Sequence, residues 1–281
     1  MRGSLGEKIG EGVYADVHAW APGEVVKLFK AGHSWRLAWH EAHMTRAVFA
    51  AGGPAPEVLG EVTLDGRFGI VLPRLDGPTL LQLSRTGALA SGQVGAILAA
   101  LALSVHRTPP PPDVISLRRS MAGSQQLASG MLPDHITTGI LALIDRLPPG
   151  DGLCHADIHP GNVIMTAEGP RLIDWIGAKR APVALDLAVC HVIHSELAPD
   201  HVDDPERPRA IDAAVQSEYA RLAGLSPAEL ATAIEPFLPV VRTFVLLAGV
   251  GSPALRARMI ESVEVAVEAE RSSAHERQDI A

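Results

Sequence analysis

The sequence predicts an α+β protein of two lobes, an antiparallel β-sheet lobe carrying one helix followed by a mainly helical lobe. Three observations carry that expectation. Short runs of β-forming residues, punctuated by glycine and proline, fill the first 76 residues and are interrupted by one helical pattern between Ser34 and Ala50. After Asp76 the apolar residues recur mostly at helical spacing. Within that second region a single hairpin, Val163 to Ile173, gathers polar residues at its open end. The expected division is 1–76 and 77–281, each part long enough to bury a core.

The elements follow in order. Leu5 to Trp20 reads as two strands around Gly10-Glu11-Gly12-Val13-Tyr14-Ala15, a glycine-bearing turn that an ordinary hairpin explains as well as a phosphate-binding loop does. After Ala21-Pro22-Gly23, the run Glu24 to Lys30 is a short apolar strand with Lys27 in its middle and Lys30 at its end. Ser34 caps a helix whose inward stripe is Leu37, Glu41, Met44 and Val48. A carboxylate on such a stripe needs a partner, and Lys27 is the nearest candidate cation. Gly52-Gly53-Pro54 ends that helix, and Glu57 to Leu64 and Gly69 to Leu72 are two further strands.

Beyond Pro73-Arg74-Leu75-Asp76-Gly77-Pro78, an apolar helix spans Gln93 to His106 and stops before the four prolines 109–112. Residues 116–130 give no clear pattern, whereas Pro133 to Leu147 reads as a helix. Helices are also expected from Asp186 to about Leu197, from Arg209 to Leu222, after the capping box Ser226-Pro227-Ala228-Glu229, and after Ser252-Pro253, with Leu255, Met259 and Val263 inward. Pro199 to Pro208 is an acidic loop, and residues 271–281 are expected to fray.

The chemistry concentrates in His155-Ala156-Asp157-Ile158-His159-Pro160-Gly161-Asn162 and the hairpin that follows. If the hairpin is symmetric about Glu168, Val163 pairs with Ile173 and Ile164 with Leu172, so Asn162 and Asp174 face each other across its mouth. Opposed residues on antiparallel strands lie about 4.5 to 5.5 Å apart at their Cα atoms, so one hard cation could bind both side-chain oxygens. Asn and Asp holding Mg²⁺ on nucleotide phosphates, with Asp157 from the preceding loop taking the proton of an attacking hydroxyl, is the arrangement of phosphoryl transfer. The alternate His155, Asp157 and His159 could instead be zinc ligands of a hydrolase, although such a site has no use for an Asn and an Asp placed across a hairpin.

This run resembles the aminoglycoside phosphotransferase family, small-molecule kinases with the two-lobed protein-kinase-like fold. Protein kinases read H-R-D-x-x-x-x-N and D-F-G where this chain has HADIHPGN and IDW. Loss of the Arg and use of Asp-Trp are habits of the small-molecule enzymes, which more often have Gly at the position of Ala156. The resemblance implies a nucleotide-binding lobe to residue 76 and a catalytic, acceptor-binding lobe after it. It implies catalysis by Asp157 and metal binding by Asn162 and Asp174. Nucleotide binding would fall to Lys27 paired with Glu41, to a degenerate glycine loop at Gly10 and Gly12, and to the hinge backbone near Leu72 to Arg74. Asp186 would cap a helix and brace the catalytic loop, and His106 would be structural. ATP is the expected phosphoryl donor, with GTP possible, and Mg²⁺ the expected cation.

Composition bounds the partners. A hydrophobic fraction of 47% and a charged fraction of 20% over 281 residues suit a globular protein. The net charge of −8 argues against nucleic acid and favours a cationic ligand where the acids cluster. The first residues lack the apolar core of a signal peptide, and the longest uncharged apolar run, near Val94 to Val105, is too short to span a bilayer, so no membrane partner is expected. Two unpaired-looking cysteines, Cys154 and Cys190, fit a reducing cytoplasm. The expected activity is therefore phosphorylation of a small-molecule hydroxyl, with a cationic antibiotic (an aminoglycoside or basic cyclic peptide) as acceptor and resistance as the outcome. A kinase of choline, homoserine or a sugar amine is the nearest alternative, and an inactive kinase-fold binding protein a more distant one.

Overall fold

The computed structural model describes residues 4–127 and 130–279. Strands β1 (Lys8–Glu11), β2 (Ala15–Ala19), β3 (Glu24–Phe29), β4 (Gly60–Leu64) and β5 (Arg67–Pro73) form one antiparallel sheet in the order β1-β2-β3-β5-β4. Alternation along β3 sends Val26 and Leu28 to one face, where they pack with Val71, and Lys27 and Phe29 to the other. Helix α1 (Trp35–Ala50) covers that second face, capped by Ser34, whose side chain accepts from the Arg36 N–H at 3.2 Å. Its Ala38 and Ala42 pack on Phe29 and Ile70, while Met44 and Val48 one to two turns on enter the core of the helical region. α1 thus belongs to both hydrophobic cores.

The fourth strand begins at Gly60 rather than Glu57, since Pro54 and Pro56 upstream have no N–H to give a ladder. It turns back through Asp65 and Gly66, both at positive φ (49° and 76°), the pairing a two-residue hairpin demands.

The remainder is helical: α2 (Leu80–Arg85), α3 (Ser91–Arg107), α4 (Leu117–Leu127), α5 (Asp134–Arg146), α6 (Ala184–Val192), α7 (Glu206–Ala223), α8 (Pro227–Ile234), α9 (Leu238–Ala248) and α10 (Pro253–Asp279). Two small sheets interrupt it, β6 (Gly152–Cys154) with β9 (Lys179–Ala181), and β7 (Val163–Thr166) with β8 (Gly169–Leu172). The short α2, not expected from the sequence, is closed by a capping box of Thr79 and Gln82. The three-residue β6 and β9 were not expected either, since three residues show no period.

α7 starts at Glu206, three residues before the expected Arg209, with Pro208 tolerated in its first turn. α10 runs on through residues expected to fray, to Asp279, while Ile280 and Ala281 lie outside the described residues. Leu255, Met259 and Val263 of α10 are buried as expected. The segment 227–248 is long and apolar enough to cross a membrane by length and composition. In the fold it is broken into two helices and a turn, and its Leu230, Phe237, Val240, Val241 and Leu246 lie in the main core.

The link between the sheet and α2 is held tightly. Gly77 (φ 152°) lies so close to the Met165 carbonyl that a Cβ there would overlap it, and Met165 N–H donates to the Pro78 carbonyl at 2.9 Å. The link is therefore docked on β7.

Candidate active site

Lys27 leaves the middle of β3 toward α1, and two carboxylates meet its ammonium. Glu41 Oε1 lies 2.6 Å from Lys27 Nζ and Asp174 Oδ1 lies 3.2 Å away, so strand, helix and hairpin exit converge on one cation. Glu41 is 3% exposed, and burial pushes its carboxyl up to about 7 against the opposing pull of Lys27. Burial also lowers the Lys27 ammonium, but Glu41 and Asp174 outweigh it and hold the lysine above its usual range. Lys30 points elsewhere, 3.5 Å from the exposed Glu11.

The loop 155–162 is braced from behind by Asp186. Its carboxylate accepts the backbone N–H groups of His155 at 2.9 Å and Ala156 at 2.6 Å, and lies 3.2 Å from His106 Nε2. His106 Nδ1 is 2.6 Å from the Tyr219 hydroxyl. Asp186 does this from inside the first turn of α6 and not from the capping position, which Val183 fills. Ala156 sits at φ 63°, a left-handed conformation that glycine adopts without a Cβ clash. Here the two short bonds to Asp186 hold an alanine in it.

At the front of the loop, Asn162 Nδ2 donates to both the backbone carbonyl and Oδ2 of Asp157, each at 3.0 Å, and His159 Nε2 is 3.6 Å from the same Oδ2. Burial pushes the Asp157 carboxyl up, but His159 and the Asn162 amide more than reverse this and hold it below the usual carboxylate range. His155 turns inward, fully buried, with Nε2 3.1 Å from the Ile173 carbonyl and its ring edge-on to Trp175. His155 thus turns away from Asp157 and His159, which face each other, so the three do not converge as zinc ligands would.

The hairpin register differs from the expected one. Val163 pairs with Leu172 and Thr166 with Gly169, so the turn is the two-residue Ala167-Glu168, closed by Thr166 Oγ1 donating to the Gly169 carbonyl at 2.8 Å. A shift of one residue removes the direct opposition of Asn162 and Asp174. Asn162 instead faces Ile173, whose N–H donates to its carbonyl at 2.9 Å. Asp174 reaches the cleft because its own backbone turns left-handed (φ 68°) ahead of the 3₁₀ turn Trp175–Gly177.

The oxygens left over suit a hard cation. Asn162 spends its amide nitrogen on Asp157, leaving Oδ1 uncommitted, and the Asp174 carboxylate has one oxygen against Lys27 and a second beside it. Among the described residues no group of three or more His, Cys, Asp and Glu side chains is arranged to hold a metal. One carboxylate and one amide oxygen, completed by phosphate oxygens and water, is the sparse donor set Mg²⁺ takes.

Gly10 lies in one row across the sheet with Val17, Lys27 and Ile70, about 10 Å from Lys27 at two strand spacings. A Cβ at Gly10 would meet only ordinary contact (3.4 Å to Val17 Cβ), and neither it nor Gly12 has positive φ. Nothing in the fold itself demands glycine at position 10.

At the hinge, the Arg74 N–H donates to the Gly23 carbonyl at 2.8 Å. Alternation of antiparallel bonding then turns Leu72 toward Val25, leaving the Pro73 carbonyl on the opposite edge, past the end of β4. The Arg74 side chain pairs with Asp76. Leu72 and Arg74 therefore have their backbone N–H groups turned toward β3, and Pro73 between them has the outward carbonyl.

Sequence reasoning missed a pocket formed by the π-helical turn Ile193–Leu197 with α7, α9 and α10. Its residues come from four separate stretches, so no local pattern announces it.

Comparison with known proteins adds the following. A family model described as phosphotransferase enzyme family matches residues 10–225. A search of curated proteins finds no match. Among solved structures, a thermostable mutant of aminoglycoside phosphotransferase APH(4)-Ia, in a ternary complex with ADP and hygromycin B, is 16% identical, with TM-score 0.61 over 95% of this chain and 94% of that one. ADP-bound aminoglycoside phosphotransferase APH(2'')-Ib is 14% identical with TM-score 0.56, covering 92% of each chain. A choline/ethanolamine kinase family protein from Mesorhizobium loti is 16% identical with TM-score 0.53, over 95% of this chain and 88% of that one. At such identities these structures speak to the fold.

Proposed function

The chain belongs to the phosphotransferase enzyme family, and from that premise we propose that it transfers the γ-phosphoryl group of Mg²⁺-ATP to a hydroxyl of a small molecule. The observation that carries this reading is the convergence of Glu41 and Asp174 on Lys27, at 2.6 and 3.2 Å. A lysine fixed between a helix carboxylate and a hairpin-exit carboxylate is positioned to meet nucleotide phosphates rather than to wander in solvent.

Glu41 orients the ammonium of Lys27, which neutralises phosphate charge. The glycine turn at Gly10 and Gly12 lies across the sheet in the same row and lets backbone approach the phosphates. The Pro73 carbonyl accepts from the base. Asn162 Oδ1 and the Asp174 carboxylate are the groups that would hold Mg²⁺, which when bound offsets the charge of the β- and γ-phosphates. Asp157, held by Asn162 and ionised well below neutrality, has Oδ1 free to take the proton of the attacking hydroxyl. In this reading residues 1–76 are the nucleotide-binding lobe and 77–281 the catalytic and acceptor lobe, working in the cytoplasm, where ATP is supplied.

Two acceptor classes follow from the relatives. Solved neighbours in complex with hygromycin B, streptomycin or gentamicin favour an aminoglycoside acceptor and a resistance role. The choline/ethanolamine kinase neighbour favours a metabolite. Of the acids in the loop 199–208, Asp200 accepts from Ser252, while Asp204 and Glu206 have only exposed pairs with Arg207 and Arg209, worth little in water.

Incubating the protein with ATP, Mg²⁺ and a panel of hydroxyl compounds should add one phosphoryl mass to an acceptor. In calorimetry, Asp174→Ala should lose the Mg²⁺-dependent part of nucleotide binding. Equal nucleotide affinity with and without Mg²⁺ in both proteins would reject the metal assignment.

A further inference from the structure

Beside Asp157 stands a side chain that neither the nucleotide nor the metal calls for, His159. It caps the 3₁₀ turn Pro160–Asn162, its Nδ1 accepting the Gly161 N–H at 3.1 Å. A ring nitrogen that accepts carries no hydrogen, so the neutral imidazole has its hydrogen on Nε2, and Nε2 lies 3.6 Å from Asp157 Oδ2. A charged ring keeps that hydrogen too. In both forms His159 presents an N–H to the carboxylate.

Gly161 is what lets the ring lie there. Its φ is not positive, so no left-handed turn asks for glycine. A Cβ at 161, however, would fall 2.7 Å from His159 Cε1 and 3.0 Å from Nδ1. That is well inside the about 3.5–4.0 Å at which carbon atoms pack. A side chain at 161 would therefore push the imidazole off its seat.

The two oxygens of Asp157 are not alike. Oδ2 accepts from Asn162 Nδ2 at 3.0 Å and faces His159, while Oδ1 has no hydrogen bond among the described residues. The last torsion of an aspartate is broad and nearly two-fold, so a carboxylate held by one donor can swing and exchange its oxygens. Two donors converging on the same oxygen fix its plane. The histidine contact, at 3.6 Å, is longer than a hydrogen bond, and catalytic hydrogen bonds commonly shorten as reactants bind.

We propose that His159, seated by Gly161, is a positioning residue that fixes the Asp157 carboxylate by Oδ2, so that Oδ1 is the oxygen that takes the acceptor's proton. The inference rests on the phosphotransferase reading and deepens it. The acceptor hydroxyl oxygen forms a bond to the γ-phosphorus as the bond from that phosphorus to the β-phosphate oxygen breaks. The hydroxyl proton passes to Asp157 Oδ1, and the nucleotide leaves as the diphosphate. His159 acts through Asp157 and not on the phosphates, so its loss should show in kcat and spare nucleotide binding.

The test compares variants that each keep one half of the histidine. His159→Asn retains an acceptor for the Gly161 N–H but has no donor that reaches Asp157, whereas His159→Gln supplies an N–H at the reach of Nε2. With Mg²⁺-ATP and kanamycin, choline or water as acceptor probes, His159→Asn should lower kcat about tenfold or more and His159→Gln should recover most of it, with Mg²⁺-ADP affinity within about twofold of wild type in both. Gly161→Ala should resemble His159→Asn, and the two together should cost little more than either. A second readout needs no turnover: in ¹⁵N spectra of the imidazole, Asp157→Asn should shift the His159 Nε2 signal and Gly161→Ala the Nδ1 signal. Near-normal kcat in His159→Asn, equal losses in His159→Asn and His159→Gln, or ring nitrogens indifferent to Asp157→Asn overturn the proposal. Failure of the phosphotransferase reading looks different: the ring nitrogens respond as expected, yet neither kanamycin, choline nor water receives phosphate.

Discussion

Between the sheet and the hairpin, two carboxylates meet one cation, Glu41 at 2.6 Å and Asp174 at 3.2 Å from the Lys27 ammonium, with little solvent around Glu41. In the pocket behind the π-helical turn, three arginines come from three helices, and the two carboxylates beside them are engaged, Glu196 by Arg242 and Asp200 by Ser252. The first arrangement is closed, its lysine met twice from within the chain before a ligand arrives. The second is looser, since Arg209 meets only the exposed Glu206 and Arg258 has no ion pair within 4.0 Å among the described residues. Charges set inside the chain fix geometry, whereas exposed pairs add little, so substitutions at the first arrangement should cost far more than at the second.

The largest effect should come from the catalytic loop. Asp157→Asn keeps the shape and removes the proton acceptor, so kcat should fall by about 10²–10⁴-fold, the usual worth of general base catalysis, while nucleotide affinity stays near wild type. Stopped-time product assays beside calorimetry check this, and near-normal kcat would remove Asp157 from the chemistry.

Next comes the brace. Asp186→Ala strands two buried N–H donors and His106, and each unsatisfied buried group costs about 1–3 kcal/mol, so urea unfolding should show a loss of at least about 2 kcal/mol. Stability within experimental error of wild type would mean that the loop holds its left-handed Ala156 without help.

The nucleotide-side pair should give smaller, coupled losses. Lys27→Ala and Glu41→Ala should each raise the nucleotide KM or lower kcat, and the double variant should cost little more than either single one. Fully additive losses would show that the 2.6 Å contact has no part in turnover.

The finest effect is in pH. Glu41 is raised from 4.5 to about 7, so the folded protein holds a proton there that the unfolded chain releases earlier. Stability owed to this group is therefore present below about pH 4.5 and lost as pH climbs toward 7, a slope that Glu41→Gln should abolish in unfolding titrations. Activity runs the opposite way, since only ionised Glu41 draws on Lys27, and nucleotide kcat/KM should fall as pH drops below about 7. Arg258→Ala, in the pocket behind the π-helical turn, should leave that pH profile in place.

How much of this was legible can be argued residue by residue. The Ser34 cap, the stripe that buries Glu41, and the strand that carries Lys27 were readable because period and capping are local properties of a few neighbouring residues. The candidate loop was readable because Asp157 and Asn162 lie five residues apart on one turn, close enough for a direct hydrogen bond. Asp174 was readable as a residue but not as a geometry. Its place depends on a hairpin register set by Thr166 and Gly169 and on a left-handed backbone that no spacing rule contains.

What the sequence determined by itself was therefore the sheet of the first lobe, the main helices of the second and the faces they bury. What only the tertiary structure decided was partnership. The commitments of Asp200 to Ser252 and of Glu196 to Arg242 join residues 52 and 46 positions apart. Periodicity reports how each segment meets its core, whereas the balance of charge in a cleft is fixed only when helices far apart in the chain are packed against one another.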